Sequence, residues 1–319
     1  TMITMADGSA LAIEAVCEGQ YVLTHRGRVA PVTRVTKRHF QGELQRLTVS
    51  GLPTPLLVTP EHPIFARVRR GTQQYWRNRP LDDQPSFVPV EQLHMGDLVH
   101  TPTPHFGAAT TDFDEQTAFI LGVYAAEGNL LKLAAPLEAW EIKPGVMMHR
   151  KPVGVRGGRV CFSLHVMRDA QLKQAITVYA AGRLSGGVVS VIPHAQTSQC
   201  EMVFVSHRPF ANFCATHVGQ GAHEKRLSHA LMCASPAVKR AFLAGYIHGD
   251  GSISGRLNGS RERSIGITSA SPQLAQQVFW LLSQLGITAC LQTGQNNGGP
   301  KNRARMFPKW VVWIRPREC

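Results

Sequence analysis

Two short segments of this chain end in an acid followed by glycine, and they align in register 123 positions apart. The first is Ile120-Leu121-Gly122-Val123-Tyr124-Ala125-Ala126-Glu127-Gly128. The second is Leu243-Ala244-Gly245-Tyr246-Ile247-His248-Gly249-Asp250-Gly251. Gly122 pairs with Gly245, Glu127 with Asp250 and Gly128 with Gly251. Small residues at helical spacing (Gly122, Ala125 and Ala126; Ala244, Gly245 and Gly249) let two helix backbones approach closely. Glycine inside a helix costs roughly 1 kcal/mol against alanine, so a compensating close contact is expected. The glycine after each acid is expected to stop its helix, because it tolerates a left-handed cap. Each acid then stands at a helix C-terminus, the end that already carries partial negative charge. Two carboxylates gathered there repel each other. A bound divalent cation relieves that conflict, and oxygen ligands suit Mg²⁺.

The second segment carries six of the nine letters of the LAGLIDADG motif, and the first carries three, with Glu in place of Asp. On these residues the chain resembles the monomeric two-motif (DOD-type) LAGLIDADG homing endonucleases found inside inteins. The resemblance implies Glu127 and Asp250 as catalytic metal ligands for Mg²⁺ or Mn²⁺, one for each strand of a double-stranded DNA target site. It also implies a lysine upstream of the second motif. Lys225, in Lys225-Arg226-Leu227-Ser228, stands at about that distance, with Ser228 where the family has proline. By resemblance it polarises the attacking water or neutralises charge on the phosphate; a solvated basic turn is the ordinary alternative. Lys301 or Lys309 could be its counterpart in the other half.

Order along the chain fits a duplication. Helices are expected at Asp114–Glu127, Asp169–Leu184, Pro209–Val218, Pro236–Asp250 and Ser271–Leu285, with strands between them. Helix, strands, helix, strands thus occurs twice, matching the αββαββα unit of the resembled fold. The final helix of the second unit has no sequence here. Repeat one is read as about 117–225 and repeat two as about 236–319, within an endonuclease domain of 117–319. Residues 106–116, with their prolines and glycine nearby, read as a linker.

Residues 1–105 read instead as short strands rich in β-branched residues and punctuated by Gly and Pro. Three blocks there carry a second resemblance. These are Thr1–Ser9 followed by Ile13-Glu14 and Gly19, then Leu57-Val58-Thr59-Pro60-Glu61-His62-Pro63-Ile64-Phe65, and then Pro89–Val99. They resemble the N-terminal part of an intein splicing (Hint-type) domain. The fold class expected overall is therefore α+β and multidomain: an all-β Hint-like domain, then a pseudo-symmetric duplicated αββαββα endonuclease. By resemblance Thr59 and His62 fall on the TxxH block, where the histidine protonates a departing amine and the Thr helps hold the carbonyl. Flanking host-protein exteins are the implied partners. The family's nucleophile lies upstream of a residue like Thr1, and its His-Asn ending does not precede Cys319. Splicing is accordingly expected not to be complete in this chain, which could be an excerpt, one half of a split intein or a remnant. Cys17 is expected in the core.

Thirty-four basic residues against 21 acidic give a net charge of +13, which points to a polyanionic partner. No apolar stretch of about 18 residues could span a bilayer, so no membrane partner is expected. The seven scattered cysteines form no CxxC pair, which argues against a zinc ribbon or a disulfide framework and for a reducing cytoplasm. Basic residues follow each motif. Arg150, Lys151, Arg156 and Arg159 follow the first, and Arg256, Arg261, Arg263, Lys301, Arg303, Arg305 and Lys309 follow the second. Laid along a groove they would hold phosphates and read base edges. Solvated surface charge is the plain alternative. A monomer with an internal pseudo-dimer is expected. The competing functional reading is a non-cleaving LAGLIDADG nucleic-acid-binding protein, a maturase or regulator, or a decayed intein. On the basic reading, affinity for duplex DNA falls steeply as salt rises. A titration between 50 and 200 mM salt should lose on the order of 10³-fold if about six phosphates are contacted, and a flat response refutes it.

Overall fold

The computed structural model describes all residues except 53–54, 72–74, 107–113, 132–138, 144–145, 150–157, 195–197, 255–263, 299–301 and 315–319. These residues group into two units, 1–109 with 253–319, and 110–252. The stretch 117–319, read from sequence as one domain, therefore contributes to both.

The N-terminal part of the first unit is built of short strands: β1 (Met2–Thr4), β2 (Ala10–Ala12), β3 (Tyr21–Leu23), β4 (Val29–Pro31), β5 (Gln45–Leu47), β6 (Leu56–Val58), β7 (Pro63–Arg67), β8 (Ser86–Pro89) and β9 (Leu98–Val99). They pair as β1-β2, β3-β4 and β5-β6, with a three-stranded sheet ordered β8-β7-β9. Val58, Ile64, Ala66 and Val90 form a small buried cluster there. Cys17 is exposed, not part of a core. It lies in the turn before β3, where its N–H donates to Gln20 Oε1 at 2.9 Å and the Gln20 N–H returns to its carbonyl at 3.3 Å. That polar turn turns the thiol away from apolar packing.

The second unit starts with α1 (Glu115–Glu127), capped by Asp114, whose side chain accepts from the Thr117 N–H at 3.0 Å. Then follow β10 (Gly128–Leu130), a separate hairpin of β11 (Ala139–Lys143) and β12 (Val146–His149), β13 (Arg159–His165), α2 (Ala170–Arg183), β14 (Val188–Pro193), β15 (Cys200–Ser206), α3 (Arg208–His217), the short α4 (His229–Met232) and α5 (Pro236–Asp250). Ser235 caps α5 and Pro236 opens it, as the serine–proline pair dictates. After α5 come β16 (Gly251–Ser254), β17 (Ser264–Ser269), α6 (Pro272–Gln284), β18 (Ala289–Gly298) and β19 (Asn302–Ile314).

The two sheets share a topology. One is ordered β10-β13-β15-β14 and the other β16-β17-β19-β18. In each, a motif helix precedes the first strand, a helix separates the second from the third, and the fourth strand returns between the second and the third. The αββαββ order expected from sequence is present twice. Strands β10, β12 and β16, the short α4 and the long reach of β18 and β19 were not expected. Within the first unit, α6 is tied to the N-terminal stretch. The Phe106 and Trp280 rings lie 5.8 Å apart, Gln284 Nε2 donates to the Pro104 carbonyl at 2.9 Å, and the Leu291 N–H donates to the Gly51 carbonyl at 2.8 Å.

Helices α1 and α5 pack backbone to backbone. A Cβ added at Gly122 would lie 2.0 Å from the Phe242 carbonyl oxygen and 2.8 Å from the Tyr246 nitrogen. One added at Gly245 would lie 2.1 Å from the Phe119 oxygen and 3.0 Å from the Val123 nitrogen. Adding 123 to Gly122, Phe119 and Val123 gives Gly245, Phe242 and Tyr246, so the two contacts are copies of one another across a local two-fold axis. The glycine hydrogen in the Cβ direction points at the facing carbonyl, a Cα–H···O contact worth about 0.5–1 kcal/mol. Alanine at either position should cost about 3 kcal/mol, because the obstructing atoms are backbone. Gly182, inside α2, has nothing within 4 Å of an added Cβ, and alanine there should gain up to about 1 kcal/mol. Denaturant unfolding of Gly122→Ala, Gly245→Ala and Gly182→Ala tests the contrast; a neutral Gly122→Ala would refute the close approach.

Candidate active site

The glycine after each acid plays a different part from the one expected. Gly128 and Gly251 have φ of −87° and −75°, extended conformations open to any residue. What excludes a side chain is proximity. A Cβ on Gly128 would lie 2.2 Å from Tyr124 Cδ2, and one on Gly251 2.2 Å from the Ile247 oxygen. The chain turns sharply from helix into strand, and each N–H still donates to the carbonyl four residues back, Tyr124 and Ile247.

This arrangement delivers both acids to one end of the helix pair. A Cβ on Gly249 would stand 2.4 Å from Ala126 Cβ, 3.2 Å from Glu127 Cγ and 3.7 Å from Glu127 Oε1. The Glu127 carboxylate therefore lies against the residue that precedes Asp250. Both acids are half-buried. Burial, and then the charge of Asp250, push the Glu127 carboxyl up to about 7. Burial pushes Asp250 up to about 6, opposed by the charge of Lys225.

Lys225 is 6% exposed. Its Nζ donates to three main-chain carbonyls at the end of α1: Tyr124 at 3.1 Å, Ala125 at 2.8 Å and Gly128 at 2.8 Å. It also lies 5.4 Å from the centre of the Tyr124 ring. Burial pulls the ammonium down to about 8, against the attraction of Asp250 and Glu127. The lysine thus joins the two acids, but through the backbone that carries one of them. Arg168 and Asp169, at the start of α2, also act on Glu127. Sequence reasoning did not single them out, and no spacing signal marks them, since they arrive from the far end of β13.

Arg159 is half-buried on β13, its Nε donating to Ser206 Oγ at 2.9 Å and its guanidinium 5.3 Å over the Phe204 ring. Lys309 faces Gly294 across β18 and β19, with its Cε 3.2 Å from where a glycine Cβ would stand. Arg303 and Arg305 are in β19. Arg150, Lys151, Arg156, Arg256, Arg261, Arg263 and Lys301 lie outside the described residues. In the first unit Thr59 is half-buried and His62 exposed; the His62 N–H donates to the Thr59 carbonyl at 3.0 Å and its carbonyl accepts from the Val90 N–H at 3.0 Å. Among the described residues no three His, Cys, Asp or Glu side chains gather as a metal cluster, and no helix is long and apolar enough to cross a membrane.

A LAGLIDADG-like domain is matched over residues 237–310, from α5 into β19. Iron-sulfur cluster assembly SufBD family proteins of Mycobacterium bovis and Mycobacterium tuberculosis are 26% identical over 312 residues, 94% of this chain and 33% of theirs. The chain spans about a third of the length of these curated relatives. An uncharacterised protein of Methanocaldococcus jannaschii is 40% identical over 48 residues, 15% of this chain and 6% of its own. Among solved structures, I-DmoI in complex with DNA and Mn superposes with a TM-score of 0.37 at 11% identity, over 63% of this chain and 89% of that one. Full-length DUF199/WhiA from Thermatoga maritima gives 0.35 at 13% identity, over 65% and 52%.

The raised carboxyl values have a consequence for stability. Glu127 moves from 4.5 to about 7 and Asp250 from 3.8 to about 6. Both folded values exceed the ordinary ones, so the stabilisation is complete below about pH 4 and is lost as pH rises through 6 and 7. Lys225, lowered from 10.5 to about 8, acts in a separate window above 8. In EDTA, the melting temperature of the wild type relative to the Glu127→Gln/Asp250→Asn double variant should fall steadily between pH 4.5 and 7.5. A pH-independent difference would show that the pair is not desolvated.

Proposed function

We propose that the duplicated part of this chain is a site-specific DNA endonuclease of the LAGLIDADG homing type, attached to the N-terminal part of a protein-splicing domain at residues 1–105. One observation carries the reading. Two carboxylates from equivalent positions of a repeated unit meet at the end of a helix pair whose glycine contacts obey a local two-fold axis. The LAGLIDADG-like match over residues 237–310 supports it, as does the net charge of +13.

The two carboxylates fit a hard divalent cation. Mg²⁺ commonly takes one or two protein carboxylates and completes its shell with water and substrate phosphate, so a set of only two acids is adequate. Glu127 and Asp250 would hold such an ion, Mg²⁺ or Mn²⁺, one acid from each repeat. A bound divalent ion lowers the pKa of a coordinated water and stabilises the oxygen that leaves phosphorus. The basic residues after each motif, Arg159, Arg303, Arg305 and Lys309 among them, would grip phosphates of duplex DNA. Pseudo-symmetry lets one monomer present a carboxylate to each strand. For the splicing part, Thr59 and His62 keep the roles their block implies, with host exteins as the polypeptides joined, in a cytoplasmic setting.

A second reading is a LAGLIDADG protein that binds nucleic acid without cutting it, and Lys225 favours it. Its ammonium is directed to three backbone carbonyls, where a water-polarising lysine would have to face substrate. The purified chain, incubated with Mg²⁺ and a duplex that joins the coding sequences flanking it in its own gene, separates the two. Double-strand cleavage that falls at least about 10²-fold in Glu127→Gln or Asp250→Asn, with duplex affinity retained, is the expected result. Binding without strand breaks would establish the second reading, and normal cleavage by either variant would remove the acids from the mechanism.

A further inference from the structure

The loop between α3 and α4 is fastened to the end of α1 at two points. The Tyr124 hydroxyl donates to the Gly219 carbonyl at 2.8 Å, and Lys225 Nζ donates to the carbonyls of Tyr124, Ala125 and Gly128. These fasteners come from opposite sides, one donor on α1 and one on the loop. The loop is itself closed at its neck. The Arg226 N–H donates to the Val218 carbonyl at 2.8 Å, the Ser228 N–H to the His217 carbonyl at 2.9 Å, and His217 Nδ1 lies 2.8 Å from Ser228 Oγ. Val218 and Leu227 are buried, as is Cys214 beneath the lysine. Gly219, at a φ of +87°, takes the left-handed turn that presents its carbonyl. The fastened carbonyls of Tyr124 and Ala125 belong to the last turn of α1 and that of Gly128 to the residue that ends it; the Tyr124 carbonyl also accepts from the Gly128 N–H. Glu127 lies between Ala125 and Gly128, in the middle of the gripped stretch.

We infer that the loop spanning residues 218–228 is a clamp on the end of α1, with Tyr124 and Lys225 as positioning residues that hold Glu127 for cation binding. The inference rests on the reading of Glu127 as a cation ligand, and it gives Lys225 a task other than touching substrate. The burial of the ammonium then has a physical reason. It neutralises the negative end of the α1 dipole and donates to three carbonyls where the helix ends.

Charge and position predict opposite signs for the loss of Lys225. Removing a positive charge beside a cation site, by Coulomb's law alone, tightens cation binding. Removing a fastener loosens the ligand and weakens it, by roughly 10-fold or more for groups that orient a metal ligand. Tyr124→Phe removes the other fastener without changing charge and keeps the buried ring, so it remains informative if Lys225→Met fails to fold. Binding of Mn²⁺ to the full chain is followed by the electron paramagnetic resonance of free Mn²⁺. Hydrogen exchange of the amides at 124–128 is measured in the same proteins without metal. Both variants should bind Mn²⁺ more weakly, about 10-fold for Lys225→Met and less for Tyr124→Phe, and both should exchange the last-turn amides faster. Unchanged exchange and affinity in Tyr124→Phe, or tighter Mn²⁺ binding in Lys225→Met, overturns the clamp. Mn²⁺ binding by Glu127→Gln equal to that of wild type overturns the ligand reading instead, and the exchange rates still decide whether the loop restrains α1.

Discussion

The reciprocal contact of Gly122 and Gly245 with the backbone of the facing helix is the constraint on which the site depends. Each glycine places a hydrogen where any other residue would drive a carbon into a carbonyl oxygen at about 2 Å. Two helices in such contact have little freedom to slide or rotate, because the obstructing atoms on both sides are main chain. The ends of the helices are fixed relative to each other as a result. Two acids that follow at the same distance from the two glycines must then arrive together. The proximity of Glu127 and Asp250 is a consequence of packing five residues earlier, not of any attraction between them.

The acids meet at an electrostatic cost that the surroundings partly offset. Burial raises both carboxyls, the charge of Asp250 raises Glu127 further, and the C-terminal ends of two helix dipoles add to the unfavourable field. Lys225 opposes this from below, through three carbonyls and through its charge on both acids. A site arranged in this way holds negative charge that a cation would relieve. This is a common signature of function, since stability alone would favour replacing the acids with neutral residues.

Much of the helix layout after residue 113 was legible from sequence. The caps Asp114 and Ser271 mark helix starts by chemistry that acts within four residues, and the structure uses both. The duplicated glycine–acid register identified the helix pair and both acids, because close helix contact requires small residues at fixed spacing. Periodicity had less to say about α1. Residues Ala118 and Ile120 through Ala125 are all buried, so no polar stripe alternates with an apolar one. The short strands β10 and β16 escaped notice because three or four residues carry too little pattern.

What the sequence alone determined was local or repetitive: helix caps, the small-residue faces and the pairing of Glu127 with Asp250, all written in spacings shorter than a helix or in a repeat of 123 residues. The tertiary structure decided three other matters. It showed that Gly128 and Gly251 are glycines for want of space, since φ is extended at both. It brought Arg168 and Asp169 to Glu127, and it turned Lys225 into the end of α1. The first is set by the turn from helix into strand, against Tyr124 and Ile247; the other two depend on where distant segments pack. Side chains separated by 40 to 100 residues acquire their neighbours only when the chain between them has folded, and no local spacing encodes that meeting.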